Sequence, residues 1–277
     1  MTDNRNVTDH YSRGDLLARI LASLAEEGVD PGHPSLEALQ AYDQFHGRGL
    51  EGTEELARLV KVAPGDHLLD IGSGIGGPAR YFAQRFGCRV TGVDLTPAFC
   101  NVARELTRRV GLADRVRFEV GDATAMPFAD ATFDGAFSMY VSMNIANRAG
   151  LYREIRRVLK SGAWLVLSEL ALGPSGPPRY PTPWARTAEA SFLATPEATR
   201  RGLDAAGFDV RSLRDTTAEW VDFGARVRAA VERGEKPTGR AVRLIHGDLA
   251  DSVMANTNEG VLGGHLVPIE IVAAKRR

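Results

Sequence analysis

Hydrophobic positions in the first sixty residues recur at helical spacing. Leu16, Leu17, Ile20, Leu21 and Leu24 fall on one face that stops before Gly28 and predict a first helix. A second is expected to open at Pro34-Ser35 and run to Phe45. The stretch DQFHGRGLEG reads as irregular. Thr53 is expected to cap a third helix, with Glu54 and Glu55 in its first turn and Pro64-Gly65 ending it.

From Asp66 onward, short apolar runs alternate with amphipathic stretches. HLLDI, CRVTGVDL, RVRFEVGD, FDGAFSMY and AWLVLSELAL read as strands. Helices are predicted from Pro78 to Gly87, from Pro97 to Val110 before Gly111, and over LYREIRRVL. Strands alternating with helices imply right-handed βαβ units and a parallel sheet. The rhythm breaks at Gly173, where five prolines lie between Pro174 and Pro183. A short helix from Pro196 to Ala206, the strand FDVRSLRDTT, a helical stretch over 218–264 and a closing strand LVPIEIVAAKRR follow. The expected fold is α/β, a Rossmann-like, doubly wound, mostly parallel seven-stranded sheet with a helical N-terminal segment and a late-insertion cap. Its expected divisions are 1–64 closing over a cofactor, 65–172 binding it, and 173–277 finishing the sheet and forming an acceptor pocket.

Composition narrows the function. The 277 residues carry 34 Lys plus Arg against 35 Asp plus Glu, so no basic excess points to nucleic acid. Apolar runs such as 163–172 are too short to span a bilayer and are interrupted by Ser168 and Glu169. The polar start MTDNRNVTDHYSRGD lacks a signal peptide's apolar core. Two cysteines, Cys88 and Cys100, form no zinc or disulfide pattern, and no metal site is expected. A cytoplasmic protein, monomer or homodimer, is expected, with no nucleic-acid or membrane partner.

The candidate chemistry begins at HLLDIGSGIGG. Glycines between a strand and a helix let backbone approach a ligand, and Gly72, Gly74 and Gly77 fit the spacing of a dinucleotide site. Asp94, twenty positions after Gly74, suits both hydroxyls of a ribose. A nicotinamide cofactor satisfies this much. Asp70 argues otherwise, because a pyrophosphate beside it would meet repulsion of roughly 1–4 kcal/mol. Asp122 ends the third strand in GDATAMPF and is placed to accept from an adenine amino group. Three acids at three successive strand ends suit S-adenosylmethionine, a phosphate-free sulfonium.

With those residues in view, 65–170 resembles the class I S-adenosylmethionine-dependent methyltransferases. LDIGSGIGG matches the family's glycine loop, VTGVDLT its ribose acid, GDATAMPF its adenine acid, FDGAFSMYVSMNI its fourth strand and LYREIRRVLKSGAWLVLSE the next helix and strand. YDQFHGRGLEGTEELA resembles the cofactor-closing segment of small-molecule methyltransferases, most nearly those acting on sarcosine, dimethylglycine and phosphoethanolamine. The resemblance implies that Asp70, Gly72, Ser73, Gly74 and Gly76 face the methionine part, Asp94, Leu95 and Thr96 the ribose, and Gly121, Asp122, Ala123 and Met126 the adenine. It places Ser138 and Met139 near the sulfonium and Tyr42 in the closing segment, and implies S-adenosylhomocysteine as product. Asn144 stands where many relatives carry a histidine, and Ser161-Gly162-Ala163 replaces the usual Pro-Gly-Gly turn.

Methyl transfer from a sulfonium requires positioning and exclusion of water. A neutral amine needs no strong base, whereas a hydroxyl or acidic carbon does. Asn144, His46 and Glu169 are the catalytic candidates, with His246, His265 and Asp215 as further possible bases. The expected activity is transfer to a small molecule, an amine first. An O- or C-methyltransferase of a phenol, quinol or sugar is the alternative, and a NAD-dependent reductase or a non-catalytic binding protein the remaining readings. Bland readings stand beside these. Gly77 serves helix packing, Tyr42 and Phe45 anchor a helix, Trp184 and Trp220 pack or cage a cation, and Arg156-Arg157 form a solvated helix face.

Overall fold

The computed structural model describes residues 15–44, 46–236 and 240–277. Phe45, the expected end of the second helix, and the stretch 1–14 lie outside the described residues. Helix α1 (Leu16–Glu26) is capped by the Asp15 carboxylate and buries Leu16, Ile20 and Leu24. Helix α2 (Leu36–Asp43) is capped by the Ser35 hydroxyl. Helix α3 spans Gly49–Arg58, so it begins five residues earlier than expected. Thr53 is therefore not a cap: it is buried in the helix interior, and its hydroxyl donates to Gln44 Oε1 at 2.7 Å.

The sheet strands are β1 (His67–Ile71), β2 (Arg89–Asp94), β3 (Val116–Val120), β4 (Phe133–Met139), β5 (Leu159–Leu172), β6 (Phe208–Asp215) and β7 (Leu266–Lys275). Their order is β3-β2-β1-β4-β5-β7-β6, with β7 antiparallel to both neighbours and the first five strands parallel. Chain order reverses between β1 and β4, and the crevice at such a switch point is where open α/β sheets bind ligands. Helices α4 (Gly77–Phe86) and α5 (Pro97–Arg109) cover one face, and α6 (Arg148–Val158) and α7 (Pro196–Ala205) the other. Alternation on β1 explains the two cores: Leu68 packs with Phe82, Cys100 and Phe137, while Leu69 and Ile71 pack with Leu151, Ile155 and Leu203.

Strand β5 begins at Leu159, directly after α6, and takes in the turn expected at 161–163. Leu159 pairs with Phe133 and Trp164 with Gly135, so 160–163 bulge opposite Asp134, with Gly162 at φ +76°. Arg157 is no solvated surface group. Its guanidinium bonds Glu154, Asp130 and the carbonyls of Met126 and Phe128, tying α6 to the loop after β3. The late stretch forms α8 (Thr217–Glu232), α9 (Ala241–His246) and α10 (Ala250–Leu262).

Candidate active site

A cavity of about 1020 Å³ opens at the carboxyl ends of β1, β2, β3 and β4, and residues of α8, α9 and α10 form its far side. The glycine loop makes its floor. Gly72 sits at φ +70°, and a Cβ there would lie 2.3 Å from Val141 Cγ2. Only glycine fits, on both conformational and steric grounds. Its N–H and that of Ser73 donate to Val93 O at 2.8 and 3.1 Å, which stitches the loop to β2. Asp94 accepts from Gly74 N–H and Thr96 N–H, each at 2.8 Å. Burial raises its carboxyl above the usual range, and those two donors oppose the rise. Asp122 Oδ1 accepts from the Thr124 N–H and hydroxyl, fixing the loop that brings Ala123 to the wall.

Of the expected cofactor residues, Gly72, Gly74, Asp94, Leu95, Thr96, Gly121, Asp122, Ala123 and Met139 line the cavity. Tyr42, Asp70, Ser73, Gly76, Met126 and Ser138 stand behind that wall. Asp70 is buried under the loop, and burial first, then the charge of Asp94, pushes its carboxyl well above the carboxylate range. Its Oδ2, like Ser73 Oγ, has no hydrogen-bond partner among the described residues. Gly76 abuts Phe118 and Arg80, Met126 joins the core, and the Ser138 hydroxyl donates to Ile71 O at 3.0 Å. Tyr42 packs among α1 and α2, its hydroxyl 2.6 Å from Arg240 Nη1.

Among the catalytic candidates, His46 and Asn144 reach the cavity. His46 Nδ1 lies 3.2 Å from Gly47 O, and Nε2 lies 2.9 Å from Thr53 Oγ1 and 3.1 Å from Gln44 Oε1. Burial lowers the imidazole to about 4, so it is neutral at pH 7. Asn144 ends a 3₁₀ turn, 142–144, and its Nδ2 donates to Val141 O. Its Oδ1 is buried without a hydrogen-bond partner among the described residues. Glu169 stands behind the wall and anchors that turn. Its carboxyl, pushed up to about 7 by burial, accepts from the Ser142 hydroxyl at 2.7 Å and N–H at 3.2 Å. Of the remaining base candidates, His246 lines the cavity, Asp215 accepts from the Thr217 N–H at the start of α8, and His265 Nδ1 lies 3.2 Å from Gly176 O, with the last two off the wall. Trp184 and Trp220 both line it.

Of the wall residues that the sequence does not single out, three lie beside the candidates. Tyr140 follows Met139, sits at the strained φ of +60°, stacks on His46 with ring centres 6.1 Å apart, and is raised by burial to about 12. Gln44 and Arg48 lie within the stretch that resembles a closing segment. Buried Arg48 pairs with Glu55 at 2.6 Å and Glu270 at 3.5 Å, while its Nη1 has no hydrogen-bond partner among the described residues. The only sequence signal was adjacency to residues already singled out. Among the described residues no cluster of His, Cys, Asp and Glu could hold a metal, and no helix is long and apolar enough to cross a membrane.

Residues 69–167 match a family described as a methyltransferase domain. Over those residues the chain is similar to the class I S-adenosylmethionine-dependent methyltransferases. The chain is 31% identical over 170 residues to methyltransferase GfsG of Streptomyces halstedii, covering 61% of this chain and 59% of that one. It is 28% identical over 242 residues to erythromycin 3''-O-methyltransferase of Saccharopolyspora erythraea, covering 82% and 77%. The chain thus spans less than two thirds of the Streptomyces relative. Its fold superposes with a TM-score of 0.70 on geranyl diphosphate C-methyltransferase of Streptomyces coelicolor, at 19% identity over 99% of this chain and 98% of that one. Gly72 and Gly74 present backbone to the cavity, and behind them lies a buried Asp70 oxygen with no hydrogen-bond partner among the described residues; both are compatible with the donor of such enzymes, a sulfonium that carries an ammonium group.

Proposed function

We propose that this methyltransferase moves the methyl group of S-adenosylmethionine to the nitrogen of a small, largely apolar amine. When bound, the donor supplies a methyl group already activated as a sulfonium. The glycine loop from Gly72 to Gly76 is its backbone cradle, and the ammonium arriving over that loop draws the buried Asp70 carboxyl down to the ionised form that balances it. Asp94 takes the ribose: each of its oxygens keeps a second lone pair beyond the backbone bonds. Leu95 and Thr96 flank it, and Asp122 with Ala123 reads the adenine. Residues 65–172 act as the donor-binding unit, with the described residues before 65 and after 172 closing over the acceptor.

Asn144 Oδ1 carries the acceptor reading. A buried acceptor without a partner costs about 1–3 kcal/mol, which an N–H of the incoming amine recovers. That bond directs the amine's lone pair toward the methyl group at Met139 and Tyr140. Because burial makes the His46 imidazole a weak base, at about 4, and Glu169 lies behind the wall, these residues orient rather than remove a proton. A neutral amine asks for no more, since its proton leaves after transfer. Trp184 and Trp220 on the wall stabilise the charge that grows on nitrogen.

The oxygen-directed reading has one observation in its favour, the 82% coverage of this chain by the erythromycin 3''-O-methyltransferase relative. Incubation with methyl-labelled S-adenosylmethionine and a panel of apolar amines, phenols, sugars and thiols separates the two. Label on an amine supports the proposal; label confined to phenols or sugars overturns it.

A further inference from the structure

Arg80 is a charged side chain that the sequence reading passed over and that lies wholly inside the molecule, 0% exposed. All three guanidinium nitrogens are bonded, and they bind three separate elements. Nε and Nη2 donate to Asp43 Oδ2 at 3.3 and 2.8 Å, at the end of α2. Nη2 also donates to the carbonyl of Ile75 at 2.8 Å, within the glycine loop. Nη1 donates to Ala103 O at 3.3 Å and Thr107 Oγ1 at 3.0 Å, on α5. The contact is close: a Cβ on Gly77 would lie 2.3 Å from Asp43 O.

These partners border the two halves of the cavity. Ile75 follows Gly74, whose N–H holds Asp94 on the donor side. Asp43 precedes Gln44, and His46, Gly47 and Arg48 continue the acceptor wall. A planar guanidinium with fixed donor directions holds both at once, whereas an ammonium on a flexible stem offers one nitrogen. A shift of the Ile75 carbonyl therefore alters the support of Asp43, and with it the wall beyond.

The geometry points to Arg80 as a positioning residue that couples donor occupancy of the glycine loop to the order of the acceptor wall, so that donor binding prepares the acceptor pocket. This coupling rests on the donor reading proposed above. By linkage, an ordered wall strengthens donor binding by the same factor.

Hydrogen–deuterium exchange on the full chain, with and without S-adenosylhomocysteine, tests it. In the wild type, the ligand slows exchange at 72–76 and also at 46–50. In Arg80→Lys and in Asp43→Asn, the ligand still binds within about fivefold and still slows 72–76. The slowing it induces at 46–50 falls at least tenfold. A purely structural contact would speed exchange at 46–50 equally in both states and leave the ligand-induced difference intact; that result overturns the coupling. If Arg80→Lys does not fold, the near-isosteric Asp43→Asn decides. Loss of binding by more than a hundredfold in the variants would make the pair part of the donor site and also overturn the coupling. A wild type that binds no S-adenosylhomocysteine overturns the donor reading itself.

Discussion

Gly72→Ala perturbs the floor of the site by a single methyl group. At φ +70° an alanine is held in the left-handed region at a cost of roughly 1–2 kcal/mol. Its Cβ would meet Val141 Cγ2 at 2.3 Å and Cγ1 at 2.8 Å, overpacking that adds about 1–3 kcal/mol. Stiffening the unfolded chain returns about 0.4–1 kcal/mol. The net expectation is a stability loss of about 2–4 kcal/mol, measured by urea denaturation. Moving this backbone also disturbs the Gly72 and Ser73 bonds to Val93 O, so affinity for S-adenosylhomocysteine by calorimetry should fall at least tenfold, about 1.4 kcal/mol. A double-mutant cycle separates the causes. On a Val141→Ala background both close γ-carbon contacts are gone and a Cβ contact at 3.1 Å remains, so Gly72→Ala should there cost only the conformational share. A Gly72→Ala protein within about 0.5 kcal/mol of wild type would refute the steric and conformational reasoning together.

Asp94→Asn leaves an amide facing Gly74 N–H or Thr96 N–H, where it cannot accept; S-adenosylhomocysteine should bind at least tenfold more weakly, and calorimetry showing equal affinity removes Asp94 from the donor site. Asn144→Ala should lower turnover with an amine acceptor far more than donor affinity; matched losses would take its Oδ1 out of acceptor binding. Glu169 titrates near 7 in the fold against an ordinary 4.5, so its contribution is fully present below pH 4.5 and is lost as pH rises to about 7, about 3 kcal/mol in all. Glu169→Gln stays neutral throughout, and its stability relative to wild type should climb over that window in denaturation series; a flat difference refutes the shift.

The part of the cavity around the glycine loop was legible because its residues announce themselves locally. Gly72, Gly74, Asp94 and Asp122 each sit at a strand end that alternation and turn residues locate, and the strand ends converge once the sheet is parallel. The part around Asn144 depends on contacts distant in sequence. Glu169 is a base candidate by its place near the carboxyl end of β5, but its carboxyl turns to Ser142, twenty-seven positions earlier, and it is Asn144 on that turn that lines the cavity. Thr53 looked like a cap because its neighbours are acidic. Helix α3 instead starts among glycines, a poor propensity offset by burying Leu56 and Ala57 against the core. Arg80 carried no periodic or motif signal, since its partners Asp43 and Thr107 lie thirty-seven and twenty-seven positions away.

The antiparallel insertion of β7 between β5 and β6 has a consequence for biosynthesis. On the ribosome, the first five strands can zip together while residues 266–275 are still untranslated, leaving the rim of β5 bare and β6 without a neighbour. That interval is when a nascent chain is most open to pairing with a stranger through its edge, and shielding by a chaperone would matter most there.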